Sequence, residues 1–143
     1  MKNYNEQEVL DASINYFSGD EFAATTWMKK YALRTTAESG NKVYLELTPN
    51  DMHHRLASEL ARIEKKYPNP LSEEQIFGYL KDFKYIVPQG GSMSAIGNNA
   101  TIQSISNCFV IGNPENSDSY GGIFRMDEEM VQIGKRRMVK SAA

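Results

Sequence analysis

The 143-residue chain contains one cysteine, one tryptophan and two histidines, and its apolar runs are only a few residues long. Each shortage removes a class of function. A single cysteine, Cys108, excludes an internal disulfide, a thiol pair and a cysteine-built zinc site. The short apolar runs leave no membrane span, and the polar start MKNYNEQE does not read as a signal peptide, so a reducing cytoplasm is the expected setting. Neither sign of charge dominates. The net charge of −2 gives no electrostatic footprint for nucleic acid, and the one basic cluster is Lys135-Arg136-Arg137 with Lys140. His53 and His54 are adjacent, so on a helix they point about 100° apart and do not chelate one ion as an i, i+4 pair would. They are expected at the surface or partly packed.

What is present suits one globular domain: 41% hydrophobic residues, 24% charged, and enough length to bury a core. The first half reads as helices with clear start signals. Asn5 with Glu8 resembles a capping box, followed by Leu10, Ile14 and Phe17 at helical spacing. Asp20 caps a second helix whose expected buried residues are Phe22, Ala23, Trp27 and Tyr31. RTTAESGNK reads as a polar loop and Val43 to Leu47 as a short strand. Thr48-Pro49 with Asp51 predicts a third helix carrying Met52, Leu56, Leu60, Ile63 and Tyr67 inward, with Arg55, Glu59, Arg62 and Lys66 mostly outside that stripe. Ser72 to Gln75 opens a fourth, with Ile76, Leu80 and Phe83 on one face.

The character changes at Pro88. PQGGSMSAIGNNA is too rich in Gly, Ser and Asn to predict a regular helix. A strand is expected at about 101–112, around Cys108, then a turn-rich loop, then a last helix from Tyr120 to about Arg137. That helix carries Ile123, Met126, Met130 and Ile133 on one stripe. Read singly, Cys108 is an inert buried thiol, Asp118-Ser119 a helix cap, and Gly90-Gly91-Ser92 a weak phosphate signal without a Walker lysine.

Read in order, these features resemble a known family. FSGDEFAATTWMKKYALR, LTPNDMHHRLASELARIEKKYPNPLSEEQIF, FKYIVPQGGSM, SISNCFVIG and DSYGGIFRMDEEMVQIGKRR are similar to the N-terminal part of the ribonucleotide reductase large subunit, adenosylcobalamin-dependent branch. The resemblance implies a mainly α fold: a helical domain over 1–87, then over 88–143 the strand and dimer-type helix that begin an incomplete α/β barrel. It implies that Cys108 is one of two thiols that reduce the substrate ribose. Ser106 and Asn107 would lie along that ribose, and Ser92 would help hold the substrate phosphate. Asp118 and Ser119 would begin a site for a dNTP or ATP effector, and helix 120–137 would pair in a homodimer.

After Lys135-Arg136-Arg137 the family continues into a glycine-rich run and the rest of the barrel, whereas here the chain reads MVKSAA. The resemblance therefore implies a segment that lacks the radical cysteine, the second reducing thiol and the main cobalamin surface. Such a segment is not catalytically competent alone and has no tight site for adenosylcobalamin or a metal. The complete enzyme would convert ribonucleoside diphosphates to DNA precursors. A rival reading is a stand-alone nucleotide-binding or interaction module, or a remnant without function.

Overall fold

The computed structural model describes residues 3–37, 40–99, 105, 108–112 and 118–138. The protein is mainly helical and divides into two compact units, Met1–Thr101 and Ile102–Ala143. In the first unit, helices α1 (Glu6–Tyr16) and α2 (Glu21–Lys30) pack on each other and are followed by strands β1 (Arg34–Thr36) and β2 (Lys42–Tyr44). Helices α3 (Pro49–Glu64) and α4 (Glu73–Leu80) form a second packed pair. A 3-10 turn (Lys81–Phe83) and the short helix α5 (Gly90–Ala95) complete the unit. The second unit is built on α6 (Tyr120–Met138).

The start signals work as read. Asn5 and Glu8 form a reciprocal capping box on α1, Asp20 accepts from the Ala23 amide on α2, and Ser72 and Gln75 cap α4 reciprocally. At α3 the tightest capping contacts come from Asp51. Its carboxylate accepts from the amides of Leu47 and Thr48, both at 2.9 Å, and from the Thr48 hydroxyl at 3.3 Å. Thr48→Ala is expected to cost about 1 kcal/mol and Asp51→Ala more, because only the latter strips three donors at once. Chemical denaturation of the two variants checks the order, and an Asp51→Ala loss smaller than that of Thr48→Ala contradicts it.

The core is made by Val9, Trp27, Met28, Tyr44, Met52, Leu56, Ile76, Leu80 and Met93, each less than a tenth exposed. Each large apolar side chain so buried contributes roughly 1.5–3 kcal/mol. Several stripes are rotated from their expected positions. On α1 the buried residues are Val9 and Ser13, with Leu10 and Phe17 packed beside them. On α2 Phe22 is 82% exposed, while Ala24 and Met28 join Trp27 inside. On α3 the inward face is Met52, His53, Leu56, Ala57 and Ala61, leaving Leu60 and Tyr67 exposed. Small alanines allow close helix approach, which large-residue counting overlooks.

Two further expectations are corrected. The segment read as a polar loop contains β1, antiparallel to β2 with Thr35 opposite Val43. Tyr44, 1% exposed, anchors this hairpin, and Tyr4 exchanges backbone hydrogen bonds with it from the other side. The glycine-rich segment forms α5 despite its composition, since buried Met93 ties it to the core. Of the strand expected at 101–112, residues 105 and 108–112 are not in a strand, and the ladder among the described residues is β1–β2 alone. A strand exists only where its backbone meets a paired neighbour. Residues 101–104, 106 and 107 lie outside the described residues.

Candidate functional site

The glycine-rich segment is anchored at both ends within the first unit. At one end, Gly90 lies under the Tyr31 ring, where an added Cβ would come within 3.2 Å of ring atoms. At the other end, Gly97 has φ +71° and lies against Arg55, where a Cβ would come within 2.7 Å of Cγ. Gly97 therefore favours glycine for its left-handed backbone as well as for its close contact, whereas at Gly90 a side chain would press on the Tyr31 ring. Ser94 donates its hydroxyl to the carbonyl of Gly90 at 2.9 Å. Ser92, the expected phosphate contact, is half-buried in the first turn of α5. In that turn amide N–H groups have no partner within the helix itself.

Arg55 stands behind this segment. Its Nε donates to Glu46 Oε1 at 2.6 Å, its Nη2 to the carbonyl of Met93 at 2.9 Å, and its Nη1 to the carbonyl of Ile96. Glu46 Oε2 also accepts from the Leu33 amide at 2.7 Å. The two side chains are only 10% and 5% exposed, so the expectation that Arg55 lies outside the buried stripe is corrected. On the alternating segment Val43 to Leu47 it is Tyr44 and Glu46 that are buried, so the acid lies on the inward face. The legible signal was an acid on the face of a buried tyrosine, with an arginine nine residues on.

The histidines point apart as their spacing requires, but the expectation of surface or partly packed rings is corrected for His53. His53 is fully buried with its ring edge-on to Phe83, and neither ring nitrogen has a hydrogen-bond partner among the described residues. Burial lowers its pKa from 6.5 to about 4; the Asp82 carboxylate raises it and His54 lowers it further. His54 is exposed and stacked on Phe77 at 3.8 Å. Tyr16 donates to Asp82 at 3.2 Å, and burial, followed by the Asp82 charge, pushes its pKa up to about 12. The described residues include no group of three or more metal-ligating side chains.

In the second unit, Cys108 is exposed, which corrects the reading of a buried thiol. Ile105, Phe109 and Val110 are exposed with it. Val110 and Ile111 line an open cleft of about 430 Å3 with Arg125, Glu128, Glu129, Gln132 and Ile133 of α6. Ser119 opens α6: its hydroxyl oxygen accepts from the Gly122 amide at 3.1 Å and its carbonyl from the Ile123 amide at 2.9 Å. Asp118 is exposed beside it, a favourable place for a carboxylate at a helix start. Of the expected site residues, Asp118 and Ser119 come together at that start. Ser92 belongs to the first unit and Cys108 to the second. Ser106 and Asn107 lie outside the described residues.

Among the described residues, no helix is long and apolar enough to cross a membrane. Comparison of the chain with protein-family models, curated proteins and solved structures found no match.

Proposed function

We propose that the chain is the N-terminal segment of an adenosylcobalamin-dependent ribonucleotide reductase acting on ribonucleoside diphosphates. The observation that carries this reading is the order of its motifs. A capped helical unit is followed by Gly90-Gly91-Ser92, then Ser-Asn-Cys-Phe at 106–109, then Asp118-Ser119 at the first turn of a long helix. In this reading Ser92 meets the substrate phosphate and Ser106 and Asn107 the ribose. Cys108 supplies one of the two thiols that become a disulfide as the 2′-hydroxyl leaves as water. The exposure of Cys108 supports a thiol that must reach both substrate and partner.

Adenosylcobalamin supplies radical chemistry to the complete enzyme. Among the described residues, neither the α6 cleft nor a second open cleft of about 580 Å3, where Glu59, Arg62, Lys65 and Glu73 stand beside Pro70 and Leu71, is the broad apolar cavity a corrin needs. Its seat is assigned to the barrel, as are the radical cysteine and the second thiol. The test joins the chain to the barrel segment of such a reductase, co-expressed or fused, and assays deoxyribonucleotide formation. The joined protein is expected to turn over and the chain alone to give only the blank rate. Turnover by the chain alone, or none by the joined protein, overturns the reading.

The same reading makes α6 a dimer helix. Ile123 and Met130 are about half exposed, with Met126 and Ile133 on the same stripe. Sedimentation is expected to show self-association that Met130→Glu abolishes. Calorimetry is expected to give dATP and dTTP affinities no tighter than roughly millimolar, about −4 kcal/mol, in the isolated chain. A strict monomer, or micromolar binding that survives Asp118→Ala, contradicts the assignment of this helix and its first turn.

A further inference from the structure

We infer that Arg55, held by Glu46, is a positioning residue for Ser92: it fixes the C-terminal end of α5 to α3 and thereby sets where the Ser92 hydroxyl is presented. The inference rests on the proposed reductase reading, in which Ser92 meets the substrate phosphate.

Helix α5 has six residues, too few to hold a helical conformation without outside support. Its placement therefore comes from what grips it. Tyr31 covers Gly90 at one end, and at the other the Arg55 guanidinium takes the carbonyls of Met93 and Ile96. The guanidinium is fixed in turn by Glu46, whose second oxygen holds the Leu33 amide just before β1. One desolvated ion pair thus joins three segments: the hairpin, α3 and α5. A buried pair returns little net stability over an apolar replacement. Its planar fork does fix geometry, because each donor has one direction and one acceptor. Gly97, just beyond α5, lets the chain pass over the Arg55 stem and so serves the same clamp. A site of this kind is sensitive to its support, since a displacement of about 1 Å at a reacting group can cost roughly a hundredfold in rate.

The test uses the full 143-residue chain, with ADP as probe and backbone amide resonances as readout. Arg55→Lys keeps the charge but cannot serve the carboxylate and both carbonyls at once. At a temperature where it is fully folded, amides of residues 93–98 are expected to exchange about tenfold faster, with α1, α2 and α4 unchanged. The shift of the Ser92 amide with ADP is expected to weaken by about tenfold in apparent affinity. Faster exchange spread evenly over the whole unit, or an unchanged Ser92 response in the folded variant, overturns the positioning role and leaves the reductase reading standing. If Arg55→Lys does not fold, Glu46→Gln carries the same comparison. Wild type and Ser92→Ala report on the underlying reading. No Ser92 response to about 10 mM ADP in wild type, or equal binding by Ser92→Ala, removes the phosphate role of Ser92 and the positioning proposal with it.

Discussion

Cys108→Ser is expected to reduce deoxyribonucleotide formation by the joined protein to the blank rate, while leaving folding and ADP binding unchanged. Replacing a ribose hydroxyl by hydrogen requires two electrons, which a dithiol delivers in becoming a disulfide. A serine hydroxyl cannot form that bond, so the loss is complete rather than graded. Because Cys108 is exposed, serine replaces it without opening a cavity in the core, and stability is expected to change by less than about 0.5 kcal/mol. A Cys108→Ser joined protein that keeps multiple-turnover activity would remove the cysteine from the chemistry. A large loss of stability would show instead that the thiol is structural.

The second large effect is acid loss of stability through His53. The ring is neutral when buried, and its pKa is lowered to about 4 from an ordinary 6.5. Between these values the unfolded chain binds a proton that the folded chain does not, so stability rises with pH in that window. The contribution is fully present above about pH 6.5, declines as pH falls, and is lost by about pH 4. Its size is up to about 3 kcal/mol. The groups facing the ring act in opposite directions: Asp82, on the turn after α4, favours the imidazolium, whereas His54 disfavours it. Asp82 and Phe83 both have left-handed backbone, φ 56° and 54°, so the segment over His53 is strained and is the expected first point of opening. His53→Gln keeps a neutral polar side chain at this position. The difference in unfolding free energy between wild type and His53→Gln, measured at pH 7 and pH 4.5, is expected to change by at least about 2 kcal/mol. A pH-independent difference contradicts this account.

Much of the fold was legible because local signals agreed with packing. The caps at Asn5, Asp20 and Ser72 predicted helix starts that the structure has, and α6 runs Tyr120–Met138 where the stripe predicted it. The failures share a cause. Gly90–Ala95 is helical because Met93 and Arg55 hold it from outside, and no local propensity reports a contact made across the fold. Arg34–Thr36 pairs because buried Tyr44 fixes its neighbour strand. Arg55 is inside because Glu46 meets it there, and the sequence pattern treats a charged residue as outward unless its partner is known. Of the candidate site, the helix start at Asp118-Ser119 was legible from its capping residue type. The exposure of Cys108 was not, since an apolar run around a cysteine reads as interior.

The central claim, that this chain contributes one reducing thiol to a ribonucleotide reductase, is tested most directly by a single turnover without external reductant. The joined protein is given ribonucleoside diphosphate, quenched with a thiol-blocking reagent and mapped by mass spectrometry. The account predicts that Cys108 is recovered in a disulfide with a barrel cysteine, in proportion to the deoxyribonucleotide formed. Deoxyribonucleotide formed while Cys108 remains a blocked thiol would contradict it.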